Sequence, residues 1–186
     1  MRHYFQLSDD MGTRGRWLLD GPVDEQGRKI DPEQFLVGKS LEFVGKMSCR
    51  QLVPGHPLDF SEAALGIPMV SQKLKELLER LGVEAVQFFP VRVVALDAAR
   101  FALNTTRVVE CIDESRCLRV ERWKPEDGAP ERVGEYRVVE RMRIDPSRVD
   151  GARFFRTWGW PVLVVSEDLK QAMEKEGITG TKFSEV

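Results

Sequence analysis

The residues best suited to proton transfer are few and lie far apart in the chain. The only histidines are His3 and His56, and His56 lies in a proline-rich stretch, PGHPLDF, that predicts an extended loop. Asp113 and Glu114 could act as a general acid–base pair, but adjacent carboxylates after a strand are typical of a turn. The sequence therefore predicts no catalytic residues and no enzymatic activity.

Asp59, near the end of that proline-rich stretch, has two interpretations. It could be a buried carboxylate, or it could cap a short helical turn over residues 61–65. Capping is the simpler interpretation, because aspartate is one of the preferred residues at a helix N-terminus.

Sequence signatures of cofactor and metal sites are absent. No glycine-rich loop opens a helix, so a phosphate-binding cradle is not predicted. The three cysteines, Cys49, Cys111 and Cys117, are an odd number and have no spacing typical of a zinc site. We therefore predict no cofactor, no metal, and free thiols of the kind found in a reducing cytoplasm.

Arginines are dense between residues 116 and 156, and this density raises the possibility of nucleic-acid binding. Acidic residues interleave with them throughout the same stretch. Phosphate binding needs a concentrated positive face, whereas alternating signs are typical of solvated sheet faces with cross-strand ion pairs. We therefore predict no direct contact with nucleic acid.

The overall charge and hydropathy argue against membranes as well. The formal net charge of −2 gives no strong attraction to nucleic acid or to an anionic membrane surface. No apolar run approaches the ~18 residues of a membrane span, and the N-terminus has no signal-peptide core. We expect a cytoplasmic protein with one domain over residues 1–186, in which residues 1–40 form a possible irregular region.

Two stretches of the chain, 66–90 and 161–186, share one pattern. Ten residue pairs align without a gap at a constant offset, namely Val70/Val165, Ser71/Ser166, Leu74/Leu169, Lys75/Lys170, Leu78/Met173, Glu79/Glu174, Gly82/Gly177, Val83/Ile178, Ala85/Gly180 and Phe88/Phe183. This shared pattern could result from an ancient duplication, or it could be chance reuse of a strand–helix–strand unit with standard caps.

Each copy of the pattern predicts a short capped helix. Ser71 and Ser166 follow apolar runs and are suited to the N-cap position. Gly82 and Gly177 stand where a left-handed C-cap is expected. The predicted helices span residues 72–81 and 167–176.

Strand patterns dominate the rest of the chain. Predicted strands include Arg2–Leu7 and Leu41–Val44, and Pro90 is expected at a strand edge or bulge. We predict an α+β fold with a mainly antiparallel β-sheet, on which the two capped helices of the internally repeated strand–helix–strand unit pack.

Two tryptophans, Trp158 and Trp160, flank Gly159 just before the second copy. They could fill the core, since tryptophan offers a large apolar area, or they could anchor a partner protein. Polar loops are predicted at 8–15, 24–29 and 124–131. The candidate partner-binding residues are the acids of these loops and the tryptophans, namely Asp9, Asp10, Asp24, Glu25, Glu126, Asp127, Trp158 and Trp160.

Several segments together resemble a known family. They are PLDF from Pro57, IPMVSQKLKELLERLGVEAVQFFPVRV from Ile67, FALNTTRVVECIDESRC from Phe101, and the final stretch from Ala152, ARFFRTWGWPVLVVSEDLKQAMEKEGITGTKFSEV. This series resembles the immunity protein eleven family of bacterial polymorphic toxin systems over nearly the whole chain. The residues that match the family pattern include Asn104, Asp113, Phe155-Arg156 and Val165-Ser166. The resemblance implies no catalytic role for any of them.

The resemblance implies a cytoplasmic immunity protein that binds a cognate toxin domain encoded nearby. Such toxins are often nucleases delivered by contact-dependent or type VI secretion. A slightly acidic binder suits a basic nuclease, because opposite potentials speed association. Two other classes stay open at this point: a small enzyme with an unrecognised site, and a regulatory protein-binding module. The oligomeric state is left open.

Overall fold

Fourteen strands and two α-helices make up the part of the chain described by the computed structural model, which covers residues 3–43, 45–63 and 66–186. The strands are β1 (Tyr4–Asp9), β2 (Leu18–Leu19), β3 (Met47–Cys49), β4 (Gln51–Val53), β5 (Phe60–Ala63), β6 (Ile67–Ser71), β7 (Val86–Val93), β8 (Arg100–Thr105), β9 (Val108–Val109), β10 (Arg119–Arg122), β11 (Tyr136–Glu140), β12 (Phe154–Thr157), β13 (Leu163–Ser166) and β14 (Thr181–Glu185). The helices are α1 (Gln72–Arg80) and α2 (Glu167–Glu176).

The strands form two five-stranded sheets and two small hairpin-like pairs. The first sheet has the order β14-β1-β13-β12-β9, and the second has the order β3-β7-β8-β6-β5. The pairs are β10-β11 and β2-β4. Neighbouring strands are antiparallel except for β9 with β12 and β3 with β7. The predicted α+β class with mainly antiparallel sheet is therefore confirmed.

Both predicted helices are present, and their ends follow the predicted residues. Ser71 accepts a hydrogen bond from the Leu74 N–H at 3.2 Å, which is an ordinary N-cap. Ser166 occupies the same position in α2, but its hydroxyl makes no cap bond, and Glu167 and Asp168 supply negative charge to that first turn instead. Gly177 has the left-handed conformation of a C-cap, with φ 66°.

The two sheets hold the two copies of the repeated pattern in the same register. In each copy one antiparallel strand, β8 or β1, lies between the strand that enters the helix and the strand that leaves it. The equivalent pairs are Val70↔Phe101 with Val165↔Phe5, and Phe88↔Leu103 with Phe183↔Leu7. A true duplication would give this arrangement, and the duplication itself stays a prediction.

The same side-chain contact recurs on both helices. Lys75 and Lys170 each bond a glutamate one turn later, at 2.7 and 2.8 Å. Each ammonium also lies over two phenylalanine rings, one on the strand that leaves the helix and one on the intervening strand. These contacts are Lys75 with Phe88 and Phe101, both at 5.5 Å, and Lys170 with Phe5 at 5.1 Å and Phe183 at 5.8 Å.

The core is divided by the sheets into three clusters. Leu74, Leu77 and Leu78 of α1 join Leu169 and Met173 of α2 in one cluster with one face of each large sheet. The opposite face of the second sheet is covered by a cluster from the N-terminal segments, which includes buried Trp17 and Phe35. The opposite face of the first sheet is covered by a third cluster, built with the β10-β11 region. Burial of one apolar stripe of each helix in this shared cluster accounts for the amphipathic pattern of both helices.

Asp59 joins the two copies through its carboxylate, which is partly buried, and residues 61–63 form a strand rather than the helical turn that Asp59 was predicted to cap. Asp59 accepts hydrogen bonds from the Ser71 hydroxyl at 2.7 Å and from the N–H and hydroxyl of Thr179, both at 3.0 Å. Its side chain is only 17% exposed. Burial raises the pKa of Asp59, but the bonds from Thr179 and Ser71, together with the charge of Lys73, outweigh burial, and the net pKa is lowered.

Replacement of Asp59 by asparagine is expected to lower the free energy of unfolding at pH 7 by about 1.5–3 kcal/mol, because hydrogen bonds to a charged acceptor are lost. The lowered pKa means that the stabilisation is present above the unfolded carboxylate's pKa, about 3.9, and is lost as pH falls through the folded pKa. The difference between wild type and Asp59→Asn, measured by urea denaturation, should therefore shrink on acidification below about pH 4. A difference that stays constant down to pH 2.5 would contradict this role.

Gly180 brings the segment after α2 against the start of β5. Its φ is +84°, and a Cβ placed there would lie 2.1 Å from the Phe60 carbonyl oxygen. The equivalent residue of the first copy, Ala85, also has a positive φ, 58°.

Gly180→Ala is therefore expected to lose at least about 2 kcal/mol of stability, since an L-residue is strained in this conformation and its Cβ clashes with backbone. Ala85→Gly removes the same strain in the first copy and is expected to gain up to about 1 kcal/mol. Thermal unfolding of both variants provides the measurement. A Gly180→Ala protein as stable as wild type would show that the close approach to Phe60 is not required.

Three local predictions differ from the structure. Residues 61–63 belong to β5 rather than to a helical turn, because Ser61 faces the core and accepts a hydrogen bond from the Trp17 indole at 2.8 Å; Ala64 and Leu65 lie outside the described residues. Residues 41–43 form no strand. The Leu41 N–H donates to the side-chain oxygen of Gln87 rather than to a neighbouring strand. Val44 is outside the described residues.

The opening strand is Tyr4–Asp9 rather than Arg2–Leu7, and Arg2 is outside the described residues. It lies between β13 and β14, and the single domain with a possible irregular region at 1–40 stays a prediction. Pro90 lies inside β7, opposite Phe101 of β8. The pairing of β7 with β3 begins one residue later, at Val91, so the missing proline N–H interrupts no bond there.

Candidate partner-binding groove

An open groove of about 460 Å³ lies where three segments meet. Its walls come from residues 33–37, 131–135 and 157–161, together with Val108 of β9. We call it the Trp158 groove, because Trp158 is its largest side chain and is 39% exposed. A large aromatic side chain at this exposure on a folded protein is a frequent feature of protein interfaces.

The turn that carries Trp158 is firmly braced. It connects β12 to β13, and Gly159 within it has φ +69°, so that a Cβ there would approach the Tyr136 ring at 3.1 Å. The buried Arg156 donates to the Pro161 carbonyl at 2.6 Å, and Thr157 donates from its hydroxyl to Trp160. Trp158 itself meets the Tyr136 ring edge-on, with centroids 6.5 Å apart. The indole is therefore presented on a rigid support.

The second wall is held by a buried phenylalanine. A 3₁₀ turn at Pro32–Phe35 begins at Asp31, whose carboxylate accepts from the Glu33 N–H at 3.0 Å. Phe35 is fully buried and stacks on Phe43 at 5.8 Å. This anchor leaves Val37 at the surface, 55% exposed, beside the groove.

The third wall is a short turn that follows the β10 strand. A 3₁₀ turn covers Pro130–Arg132, and Arg132 bonds Glu135 at 3.3 Å. Arg132 also lies over the Trp123 ring at 4.9 Å, which fixes the turn against the β10-β11 hairpin.

The groove carries excess negative charge. Glu33, Glu131 and Glu135 line it with a single cation, Arg132. Glu135 is paired with that arginine, whereas Glu33 and Glu131 are exposed and have no ion pair within the described part of the chain. The combination of an exposed indole, an exposed valine and two uncompensated carboxylates fits a partner segment that is both apolar and positively charged.

The two tryptophans predicted as candidates have different environments. Trp158 lies in the groove, as a partner anchor would. Trp160 is half-buried and packs on the third core cluster. The core interpretation therefore applies to Trp160, while a partner-anchoring role for Trp158 stays a prediction.

The N-terminal acids lie outside the groove. The Asp9 side chain is 7% exposed and binds Arg16, with one contact at 2.7 Å. We therefore infer that Asp9 stabilises the fold and does not belong to the candidate partner-binding surface. Asp10 accepts from Gly12 and Thr13 within its own turn. Asp24 similarly binds Arg28 at 2.7 Å, and Glu25 accepts from the Lys46 N–H at 3.1 Å.

Glu126 and Asp127, two acids of the loop at 124–131, lie close to the groove in sequence but do not line it. Asp127 accepts from the Lys124 N–H at 2.9 Å and pairs with Arg137 at 2.9 Å. Glu126 is exposed. Glu131, the last residue of that loop, lines the groove. Glu33 and Val37 were not predicted as candidates, because their position beside Trp158 depends on contacts between residues distant in sequence.

Comparison with known proteins identifies the family. Residues 1–186 match the Immunity protein family (Imm11). The chain belongs to this family. The match covers the entire sequence, so both copies of the repeated unit and the Trp158 groove lie within the Imm11 region. No curated protein matches the chain.

A second cleft of this Imm11 chain is relevant to the enzyme alternative. The cleft, of about 290 Å³, collects Asp113 and Glu114 but neither His56 nor Asp59. Asp113 caps the 3₁₀ turn that follows it, which confirms the turn interpretation. Arg122, with Tyr136, donates to Glu114 and lowers the pKa of its carboxyl, while burial and that bond raise the pKa of Tyr136 to about 12. Both acids thus have structural partners.

The arginine-rich stretch of the Imm11 chain forms ion pairs with its interleaved acids. The pairs are Arg119 with Glu121 and Glu140, Arg122 with Glu114, Arg137 with Asp127, and Arg153 with Asp168. Among these pairs, Arg119 with Glu140 joins the neighbouring strands β10 and β11, as the sequence pattern predicted, and the others join a residue to its own strand, a turn or a helix. Within the described ranges, no helix is long and apolar enough to cross a membrane, and no cluster of three metal-ligating side chains occurs.

Proposed function

We propose that this chain is an immunity protein that binds one cognate toxin domain and neutralises it by covering its surface. Family membership over residues 1–186 is the observation that carries the proposal. The Trp158 groove supports it, because an inhibitor that acts by binding needs a rigid, complementary surface rather than a set of converging catalytic groups.

The proposal extends to the setting in which the protein acts. In this proposal the toxin is a secreted nuclease domain delivered by a polymorphic toxin or type VI secretion system, and its gene lies beside the immunity gene. The immunity protein works in the cytoplasm, where such a toxin meets its target. The formal net charge of −2 and the acids of the groove suit a basic toxin surface.

Co-expression tests the proposal. The toxin domain encoded by the adjacent gene is expressed in a heterologous bacterial host, with and without this chain. We expect the toxin alone to stop growth, and the chain to restore growth and to co-purify with the toxin. A matched control is a chain with Leu74→Asp in the shared core of the helices, which is expected to unfold and to give no protection.

Two outcomes would contradict the proposal. Growth that stays arrested when both proteins are present at comparable levels would remove the immunity role. Restored growth without a complex, accompanied by chemical modification of the toxin, would instead favour the enzyme alternative.

A further inference from the structure

We infer that the Trp158 groove receives an arginine side chain of the toxin, whose guanidinium stacks on the Trp158 indole and pairs with Glu33 and Glu131. This inference rests on the proposed function and names the chemistry of the partner. It is argued from the charge of the groove, from the other aromatic–arginine contacts of the chain, and from the rigidity of the Trp158 turn.

The first argument is charge complementarity. Glu33 and Glu131 are exposed carboxylates without an ion pair among the described residues, and both line the groove that holds Trp158. A cation that enters the groove meets two acids that have no competing partner. Arginine suits the site better than lysine, because its planar guanidinium both stacks on an aromatic face and bonds carboxylates through several N–H groups.

The second argument comes from three other large aromatic side chains, Trp17, Trp123 and Tyr136. Trp17 has the Arg100 guanidinium 5.3 Å from its ring centroid, and Tyr136 has that of Arg122 at 4.3 Å. Trp123 has two, Arg132 at 4.9 Å and Arg137 at 5.3 Å. Trp158 has no cation over its ring from any residue that the structure describes, although it is more exposed than these. The ring is therefore open to a guanidinium from another molecule.

The third argument is that binding requires little ordering. The Trp158 turn is fixed by Arg156, Thr157 and Tyr136, and the opposite wall is fixed by the buried Phe35. Gly38 reinforces this wall, since a Cβ at that position would lie 2.2 Å from the Val108 side chain. A preformed site of this kind loses little conformational entropy on binding.

The inference is tested on the full chain with two short peptides that differ in one side chain. The first is acetyl-Gly-Ser-Arg-Ser-Gly-amide, and the second carries neutral citrulline instead of arginine. The indole N–H resonance of Trp158 is followed by NMR during each titration. We expect a saturable shift with the arginine peptide, an apparent affinity at least fivefold weaker with the citrulline peptide, and weaker binding at higher salt.

Variants locate the effect. Trp158→Ala is expected to abolish the peptide-induced shifts of the remaining groove resonances, and Glu33→Gln and Glu131→Gln are each expected to weaken binding at least threefold. Glu76→Gln is the matched control, because Glu76 is an exposed glutamate on α1 without an ion pair in the described structure. It loses the same charge and is expected to leave affinity unchanged.

Three results would overturn the inference: shifts that are equal for the two peptides, shifts that lie outside the groove, or equal weakening by Glu76→Gln and Glu33→Gln. A wild-type dimer that Trp158→Ala converts to a monomer would also overturn it, because a second copy of the chain would then fill the groove. Toxin affinity and the co-expression test together separate the two proposals. A toxin affinity of Trp158→Ala equal to that of wild type removes the groove inference alone, whereas a wild-type chain that fails to protect removes the proposed function.

Discussion

Replacing Trp158 by alanine is expected to weaken binding to the toxin domain at least 30-fold while the fold remains intact. A buried tryptophan anchor at an interface contributes about 2 kcal/mol or more, and 1.4 kcal/mol corresponds to a tenfold change in affinity. In the free protein the indole is 39% exposed and makes an edge contact with Tyr136, so its loss should cost the fold only about 1 kcal/mol. Calorimetric titration with catalytically inactivated toxin, together with thermal unfolding, measures both effects.

The control for this variant is Leu118→Ala. Leu118 is 63% exposed and lies outside the groove, so its truncation removes an exposed apolar side chain away from Trp158. We expect its toxin affinity to stay within twofold of wild type. Equal affinities of Trp158→Ala and wild type would place the toxin interface elsewhere on the molecule.

Replacing Asp9 by alanine is expected to destabilise the fold by about 3–5 kcal/mol, which is the second large effect. Asp9 and Arg16 are each 7% exposed at their side chains, and the guanidinium bonds both carboxylate oxygens. The same carboxylate accepts the Glu62 N–H at 3.1 Å, which ties β1 to β5. Removal of one partner leaves the other charge buried and uncompensated. Urea denaturation at pH 7 gives the measurement.

Two further variants distinguish a buried charge from simple loss of contact. Asp9→Ala combined with Arg16→Met removes both charges and should recover much of the lost stability. Asp24→Ala breaks an exposed pair, since Arg28 is 76% exposed, and should cost less than about 1 kcal/mol. A loss below 1 kcal/mol in Asp9→Ala would show that this ion pair adds little, and the acid would again be a candidate for the partner surface.

Local chemistry explains what could be predicted from the sequence. Helices α1 and α2 were predicted within one residue of their ends, because Ser71, Gly82 and Gly177 act through neighbours in the chain. The ion pair of Arg119 with Glu140, between β10 and β11, was likewise expected from the interleaved charges of this stretch.

Contacts distant in sequence explain what was missed. Asp59 accepts hydrogen bonds from Ser71 and Thr179, which are remote from each other in the chain, so no local sequence pattern predicts these bonds. Glu33 lines the same groove as Trp158 because the nearby Phe35 is buried in a cluster assembled from several segments. The exposure of Trp158 and the burial of Trp160 depend on the same packing. A sequence pattern predicts that such residues are special, but their positions require the fold.

The helices lie within the repeated unit and were predictable, whereas the Trp158 groove lies elsewhere and was not. Both copies use the same lysine–glutamate pair over two phenylalanines, and this pairing is intrinsic to each unit. The Trp158 groove lies outside this common pattern, since its walls come from segments that have no counterpart in the other copy. Residues in these segments are the ones expected to decide which toxin is bound.

Titration of toxin activity against increasing amounts of this chain is the most direct test of action by binding. The adjacent gene's toxin domain is held at a fixed concentration well above the dissociation constant, and its residual activity is measured. The account predicts a linear fall to zero at one chain per toxin, with full activity recovered when the complex is dissociated. Complete inactivation by far less than one chain per toxin, or inactivation that persists after the chain is removed, would contradict it.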